Sequence, residues 1–144
     1  MIKKIDHIGI AVKDLEAAIR FFKGKSELDV TYKITLRGFH AAFLPTESTP
    51  IELIQDTSPE GVISKFIEKR GEGFHHIAFE VENIRSALKR LESQGIRCID
   101  REPKEGAHQS RVAFLHPKDT YGALIELVEF LDKITDLESR GGVY

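Results

Sequence analysis

The chain contains an internal repeat, and this repeat constrains its fold more than any other feature. Residues 7–22 read HIGIAVKDLEAAIRFF, and residues 76–91 read HIAFEVENIRSALKRL. Two later segments also match, in the same order in both halves: Ala42-Phe43-Leu44 with Ala113-Phe114-Leu115, and Ile51-Glu52-Leu53-Ile54 with Ile125-Glu126-Leu127-Val128. Three matches in one order indicate that a single structural unit is used twice.

Both halves have the pattern of a strand, a helix and three further strands. The first half predicts a strand at Ile5–Val12, a helix that Asp14 caps and Gly24 ends, and strands near Val30–Leu36, His40–Leu44 and Ile51–Gln55. The second half predicts a strand at Phe74–Val81, a helix that Asn83 caps and Gly95 follows, and strands near Arg97–Ile99, Val112–Leu115 and Ala123–Val128. A short helix near Val62–Lys69 links the halves.

These patterns predict an α+β fold in which two tandem βαβββ modules form a curved mixed sheet. The length of 144 residues suits a single domain. We expect module one at about 4–57, a linker helix at about 60–72 and module two at about 73–130. The polar C-terminal tail, 131–144, has the pattern of an amphipathic helix followed by a loose end.

The composition excludes several classes of protein. A net charge of −2 argues against a general nucleic-acid binder, which needs a basic face. No apolar run approaches the roughly 20 residues of a membrane span, and the N-terminus has no signal-peptide core. The single cysteine, Cys98, excludes an internal disulfide and a cysteine-based zinc site, and we interpret it as a half-buried strand thiol. We therefore expect a cytoplasmic protein that binds neither nucleic acid nor membranes.

Each half opens its first strand with a histidine, His7 or His76, and carries a glutamate, Glu52 or Glu126, in its last strand. Strand side chains alternate between faces, so each histidine is followed on its own face by a small residue that leaves room for an ion and a substrate. Each glutamate interrupts an apolar Ile-Glu-Leu strand, where a carboxylate is costly unless it is paired or binds a metal. Two imidazoles and two carboxylates suit a first-row divalent cation. We therefore predict a metal site made of His7, Glu52, His76 and Glu126.

Each of these residues also has a simpler interpretation. A lone histidine at a strand start is usually a surface or hydrogen-bonded residue, and a lone glutamate in such a strand usually faces solvent. The repeat favours the metal site, because both halves retain both polar positions. His75 is expected on the opposite face from His76. The remaining histidines lack a matching partner and are expected in loops or on the surface: His40, His108 and His116.

The repeated βαβββ pattern with its histidines and glutamates resembles the vicinal oxygen chelate superfamily of glyoxalases, bleomycin-resistance proteins and dioxygenases. Within this superfamily, the chain is most similar to the methylmalonyl-CoA epimerases, over about residues 4–130. The segments that carry the resemblance are Asp6-His7-Ile8-Gly9-Ile10-Ala11-Val12, KFIEKRGEGFHHIA at 65–78, Gly106-Ala107-His108 with RVAFLHPK at 111–118, and Leu124-Ile125-Glu126-Leu127.

The resemblance implies a glyoxalase-like fold around a metal site and an isomerase that interconverts (2R)- and (2S)-methylmalonyl-CoA through a metal-stabilised enolate. It implies His7, His76 and Glu126 as ligands, with Glu52 at a position where relatives carry Gln or Glu. The resemblance implies Co²⁺ as the metal, which is often the metal in related enzymes, and Ni²⁺, Zn²⁺, Mn²⁺ or Fe²⁺ also suit the donor set. Glu126 is implied as the catalytic acid–base, and a homodimer as the assembly.

One position departs from the pattern of these epimerases. Epimerisation requires proton donors on both faces of a planar enolate, and relatives carry a second catalytic glutamate where this chain has Ala41. Glu80, on the same strand face as His76, or an unidentified group then has to supply the second proton. Two alternatives stay open: a lactoylglutathione lyase of the glyoxalase I type, and a metal-free small-molecule-binding protein of the same fold.

Overall fold

The computed structural model describes residues 1–131, which form eight strands, three α-helices and one 3-10 turn. The strands are β1 (Ile2–Ala11), β2 (Tyr32–Leu36), β3 (Phe39–Leu44), β4 (Ile51–Asp56), β5 (Gly73–Val81), β6 (Lys104–Gly106), β7 (Ser110–Leu115) and β8 (Ile125–Phe130). The helices are α1 (Leu15–Ser26), α2 (Val62–Arg70) and α3 (Ile84–Ser93), and the 3-10 turn spans Pro117–Asp119.

The described chain divides into two compact units. The first unit is Ile8–His75, and the second joins Met1–His7 to the described residues from His76 onward. In the first unit the strand order is β2-β3-β4-β1, in which β1 and β4 are parallel and the other pairs are antiparallel. In the second unit the order is β6-β7-β8-β5, in which β5 and β8 are parallel. The units thus share one mixed topology, and the predicted α+β class is confirmed.

The strand registers of the two units are equivalent residue for residue. In the first unit, Glu52 pairs with Gly9 on one side and with Phe43 on the other. The corresponding residues of the second unit are Glu126, Ala78 and Phe114. The repeat in the sequence is therefore a repeat in strand pairing, which gives the two glutamates the same place in their sheets.

Each long helix covers one face of the strands in its own unit. In the first unit, α1 packs on a cluster that includes the fully buried Leu44 and Leu53. In the second unit, α3 contributes the fully buried Ile84 to a cluster with Leu127. Neighbouring residues in a strand point to opposite faces, so Glu52 and Glu126 lie on the faces opposite to α1 and α3.

The predicted N-caps of α1 and α3 are confirmed. The Asp14 side chain accepts a hydrogen bond from the Ala17 N–H at 3.0 Å, and the Asn83 side chain accepts one from the Ser86 N–H at 2.9 Å. Each bond satisfies a backbone donor that has no partner within its helix. These caps fix where the helices start, directly after the strands that carry His7 and His76.

The end of α1 differs from the prediction. Gly24 lies inside the helix, which continues to Ser26 and ends at Glu27, a residue in the left-handed conformation with φ of 58°. The Leu28 N–H then bonds to the Phe22 carbonyl at 3.3 Å. This bond closes the helix beyond the glycine, so Gly24 is not the terminator.

The strand predicted at Arg97–Ile99 is wrong. Cys98 forms only an isolated bridge with Leu115, and the short strand β6 lies further along the chain. β6 and β7 form a hairpin whose turn holds His108 and Gln109 with φ of 54° and 52°. Left-handed turn positions are usually occupied by glycine or asparagine. Neither residue is present at 108 or 109, so the sequence pattern did not predict this hairpin.

The amphipathic helix predicted in the tail lies outside the described residues, apart from Leu131. Within residues 1–131, each helix falls short of the length and apolarity needed to cross a membrane.

We predict that Asn83→Ala lowers the free energy of unfolding by about 1 kcal/mol, because the Ser86 N–H loses its acceptor. Urea denaturation of both proteins measures the difference. Asn83→Asp is the matched control, since aspartate caps equally well and should leave stability close to that of the parent. Equal stability of the alanine variant would contradict the role assigned to this cap.

Candidate metal and catalytic site

Two imidazoles and one carboxylate converge inside the second unit. The Nε2 atoms of His7 and His76 are 3.1 Å apart. Glu126 Oε2 lies 3.1 Å from His76 Nε2 and 3.8 Å from His7 Nε2. All three side chains are buried. Three of the four residues predicted as ligands, which are far apart in the sequence, thus present their polar atoms to one point.

The parallel pairing of β5 with β8 brings His76 and Glu126 together. The Ile77 N–H donates to the Leu124 carbonyl at 3.1 Å, and Glu126 lies directly opposite Ala78. Side chains two residues apart in a strand share a face, so His76 lies on the same face as Ala78 and its partner Glu126. This geometry follows from the order of the strands, because the first and last strands of a βαβββ unit are neighbours.

The Phe114 ring, on the neighbouring strand β7, contacts the His76 imidazole edge-on, with ring centroids 5.7 Å apart. Phe114 pairs with Glu126 in the β7/β8 register. The ring therefore packs beside both polar groups and limits the rotation of the imidazole.

Glu52 occupies the equivalent position in the first unit. It is 5% exposed in the middle of β4. The Ile8 N–H donates to the Pro50 carbonyl at 3.2 Å, which is the counterpart of the Ile77 bond in the second unit. Glu126 is similarly buried, at 6%. The simpler interpretation, in which these glutamates face solvent, is therefore excluded by their burial, and carboxylates at such depth require charged or hydrogen-bonding partners.

The donor set of the second unit fits a divalent cation. The three distances between His7 Nε2, His76 Nε2 and Glu126 Oε2 leave a point about 2.0 Å from all three atoms, which is the usual length of a bond from zinc to imidazole nitrogen or carboxylate oxygen. Imidazole and carboxylate together suit first-row divalent ions. A cation at this point would take the place of the hydrogen bond that joins the two Nε2 atoms.

Asp6 was not singled out as a site residue in the sequence. Its Oδ2 atom lies 2.8 Å from His7 Nδ1, and the residue is 9% exposed. Strand alternation predicts opposite faces for adjacent residues, which is why the pattern did not connect Asp6 with His7. The available signal was chemical, since a carboxylate next to a candidate histidine ligand is able to orient the ring.

Glu80, the candidate second acid–base, is buried at 3% exposure on the face that His76 shares. Its Oε1 accepts a hydrogen bond from Lys3 Nζ at 2.7 Å, and Lys4 Nζ lies 3.6 Å from Oε2. Glu80 is four positions beyond His76 in β5, a distance of about 13 Å along the strand. The structure therefore places Glu80 in an ion pair with the start of β1.

Ala41 is fully buried in β3, between Ile34 and Ile54 of the neighbouring strands. The register puts Ala41 on the same face as Glu52, and this face holds apolar side chains at the positions beside Ala41. His40 points the other way and bonds to Thr35 Oγ1, 2.6 Å from Nδ1. The position at which this chain departs from the epimerase pattern thus lies in an apolar patch, on the face of the first unit that carries Glu52.

The other histidines have individual roles in their own segments. The His75 ring packs edge-on against Phe66 at 4.8 Å between centroids, and the His116 side chain accepts the Lys118 N–H at the start of the 3-10 turn. His108 lies in the β6–β7 turn.

Cys98 is half-buried, and burial together with the nearby carboxylates of Glu92 and Asp100 raises the pKa of its thiol. The thiolate is the nucleophilic form, so this environment disfavours a catalytic role.

Comparison with known proteins shows which family this chain resembles. The family model described as Glyoxalase/Bleomycin resistance protein/Dioxygenase superfamily matches residues 6–114. The ethylmalonyl-CoA/methylmalonyl-CoA epimerase of Cereibacter sphaeroides is 40% identical over 131 residues, which cover 88% of this chain and 98% of the relative. The uncharacterized protein YqjC of Bacillus subtilis is 35% identical over 128 residues, which cover 88% of this chain and 91% of the relative.

Among solved structures, a variant of Streptomyces coelicolor methylmalonyl-CoA epimerase in complex with 2-nitronate-propionyl-CoA superposes with a TM-score of 0.88. It is 32% identical, and the match covers 92% of this chain and 100% of that one. The match therefore extends over nearly the whole chain in both sequence and structure. Together with the paired His–Glu strands, it shows that this chain belongs to the Glyoxalase/Bleomycin resistance protein/Dioxygenase superfamily.

Proposed function

We propose that this protein is a metal-dependent epimerase that interconverts (2R)- and (2S)-methylmalonyl-CoA. The observation that carries the proposal is the buried convergence of His7, His76 and Glu126, which joins cation donors to a carboxylate able to move a proton. The relatives named as epimerases support the reaction type and the acyl-CoA substrate. The family analogy also leads us to propose a homodimer, which sedimentation analysis tests directly.

His7, His76 and Glu126 would hold the cation, and we propose Glu52 as the fourth ligand because its strand position repeats that of Glu126. When bound, the cation supplies positive charge that stabilises the negative charge developing on a thioester oxygen. Cobalt is the metal that the family resemblance favours. The donor set accepts Ni²⁺, Zn²⁺, Mn²⁺ or Fe²⁺ as well.

Glu126 is the residue that we propose as the acid–base. A carboxylate has two oxygens, so one can remain beside the His76 imidazole, 3.1 Å away, while the other exchanges a proton with the substrate. Burial removes water that would otherwise compete for this proton. The β8 strand and the Phe114 contact hold the residue in place.

The second proton requires another group, because Ala41 cannot supply it. Glu80, the candidate from the sequence, pairs with Lys3 and lies about 13 Å along β5 from His76, so it could act only through intervening groups and not by direct transfer to a substrate at the cation. Glu80→Gln tests the assignment. Loss of epimerisation with retained proton exchange at one face supports Glu80, whereas unchanged epimerisation assigns the step to a different residue.

The two alternative functions that the sequence left open, a lyase and a metal-free binding protein, have less support. The characterised relatives compared above carry epimerase names, and the glyoxalase I-type lyase receives no support from them. A metal-free binding protein would not require two imidazoles and a carboxylate to converge in the buried interior. Consumption of the methylglyoxal–glutathione hemithioacetal is the direct assay for the lyase.

We predict that the metal-loaded protein exchanges the α-proton of methylmalonyl-CoA with solvent deuterium, and that a chelator stops the exchange. Glu126→Gln should lower the exchange rate by roughly 100-fold or more, because a general base is removed while the side-chain shape is kept. Mass spectrometry of the substrate in D₂O measures both effects. Absence of exchange by the metal-loaded parent would eliminate the epimerase.

Loss of either histidine should weaken cation binding. We expect His7→Ala and His76→Ala to lower Co²⁺ affinity by more than the roughly 10–100-fold that follows loss of an outer-shell partner. Titration against a chromogenic chelator measures the affinity. His40→Ala is the control, because His40 is a strand histidine outside the proposed ligand set and bonds to Thr35. Parent-like affinity in both site variants would refute the ligand assignment.

A further inference from the structure

We propose that Asp6 is a positioning residue that fixes the tautomer and orientation of His7, so that the His7 Nε2 lone pair faces the cation. The inference rests on the cation-binding part of the proposed function and adds to it a residue outside the predicted ligand set. It concerns the protein's own hydrogen bonds, and it can be tested without turnover.

The geometry of the pair selects one tautomer. Asp6 Oδ2 lies 2.8 Å from His7 Nδ1, and both residues are buried. An ionised carboxylate only accepts hydrogen bonds. His7 Nδ1 must therefore carry the hydrogen, which leaves Nε2 of the neutral ring as the acceptor atom.

The selected atom is the one that faces the other donors. His7 Nε2 lies 3.1 Å from His76 Nε2 and 3.8 Å from Glu126 Oε2. With the opposite tautomer, an N–H would occupy the space where a cation has to bind. A carboxylate behind a ligating imidazole also increases the basicity of the ligating nitrogen and holds the plane of the ring.

Only one half of the duplicated fold has this arrangement. In the repeat, the residue before His76 is His75, and its ring contacts Phe66 instead. His76 has a different neighbour on its own ring, the edge of Phe114. The carboxylate that precedes His7 in the chain thus has no counterpart before His76 in the repeat. This asymmetry makes Asp6 specific to the site rather than a general feature of the βαβββ unit.

The test compares Asp6→Ala and Asp6→Asn with the parent in the full chain. Asparagine has almost the same size as aspartate, so Asp6→Asn should fold even if Asp6→Ala does not. It also keeps an acceptor oxygen for Nδ1–H and should therefore keep the tautomer. Asp119→Asn is the control, because it removes a carboxylate of the same unit that pairs with Arg97 at the surface. Two properties are measured: Co²⁺ affinity by chelator competition, and the His7 tautomer by ¹⁵N NMR of the metal-free protein.

We expect Asp6→Ala to lower Co²⁺ affinity by roughly 10–100-fold and to lose the single Nδ1–H form of His7. Asp6→Asn should lose less affinity and keep that form, and Asp119→Asn should match the parent in both measurements. A purely structural role would lower stability in Asp6→Ala without either change. Co²⁺ affinity within twofold of the parent together with an unaltered tautomer would overturn the inference.

The outcomes separate this inference from the proposed function. A parent protein that binds Co²⁺ but does not exchange the substrate proton fails the epimerase proposal and leaves the role of Asp6 intact. An Asp6→Ala variant with parent-like Co²⁺ affinity and tautomer fails the inference and leaves the epimerase proposal intact.

Discussion

The contact between the two imidazoles, His7 Nε2 and His76 Nε2 at 3.1 Å, is the constraint around which the second unit is organised. Neutral imidazoles meeting through two lone pairs repel each other, so a proton or a cation has to lie between them. Glu126 supplies the negative charge that makes a cation favourable at this position. Burial strengthens the effect, because the effective dielectric constant is lower than in water.

The topology of the βαβββ unit brings His76 and Glu126 together without long loops or a dedicated scaffold. Its first and last strands pair in parallel, so a residue near the start of the first strand lies beside a residue of the last. The intervening helix α3 packs on the face that carries Leu127, and Glu126 points to the opposite face. Duplication then yields a second carboxylate, Glu52, in the same strand position, which the buried register of β4 preserves.

The sequence predicted the repeat, the caps at Asp14 and Asn83 and the burial of both glutamates, because each depends on local pattern or on the repeat itself. It did not predict β6, whose hairpin turn uses His108 and Gln109 in a left-handed conformation that these residue types do not announce. Asp6 also escaped prediction. Its contact with His7 joins adjacent residues of one strand, whose side chains periodicity places on opposite faces.

The grouping of Met1–His7 with the residues from His76 onward has a consequence for biosynthesis. Residues 1–7 precede the first unit in the chain but belong to the second, and their contacts, such as Lys3 with Glu80, join residues 77 positions apart. Residues 1–7 cannot make these contacts until β5 and β8 have been translated. Folding of the second unit is therefore governed by a long loop closure, whereas Ile8–His75 can acquire its structure earlier.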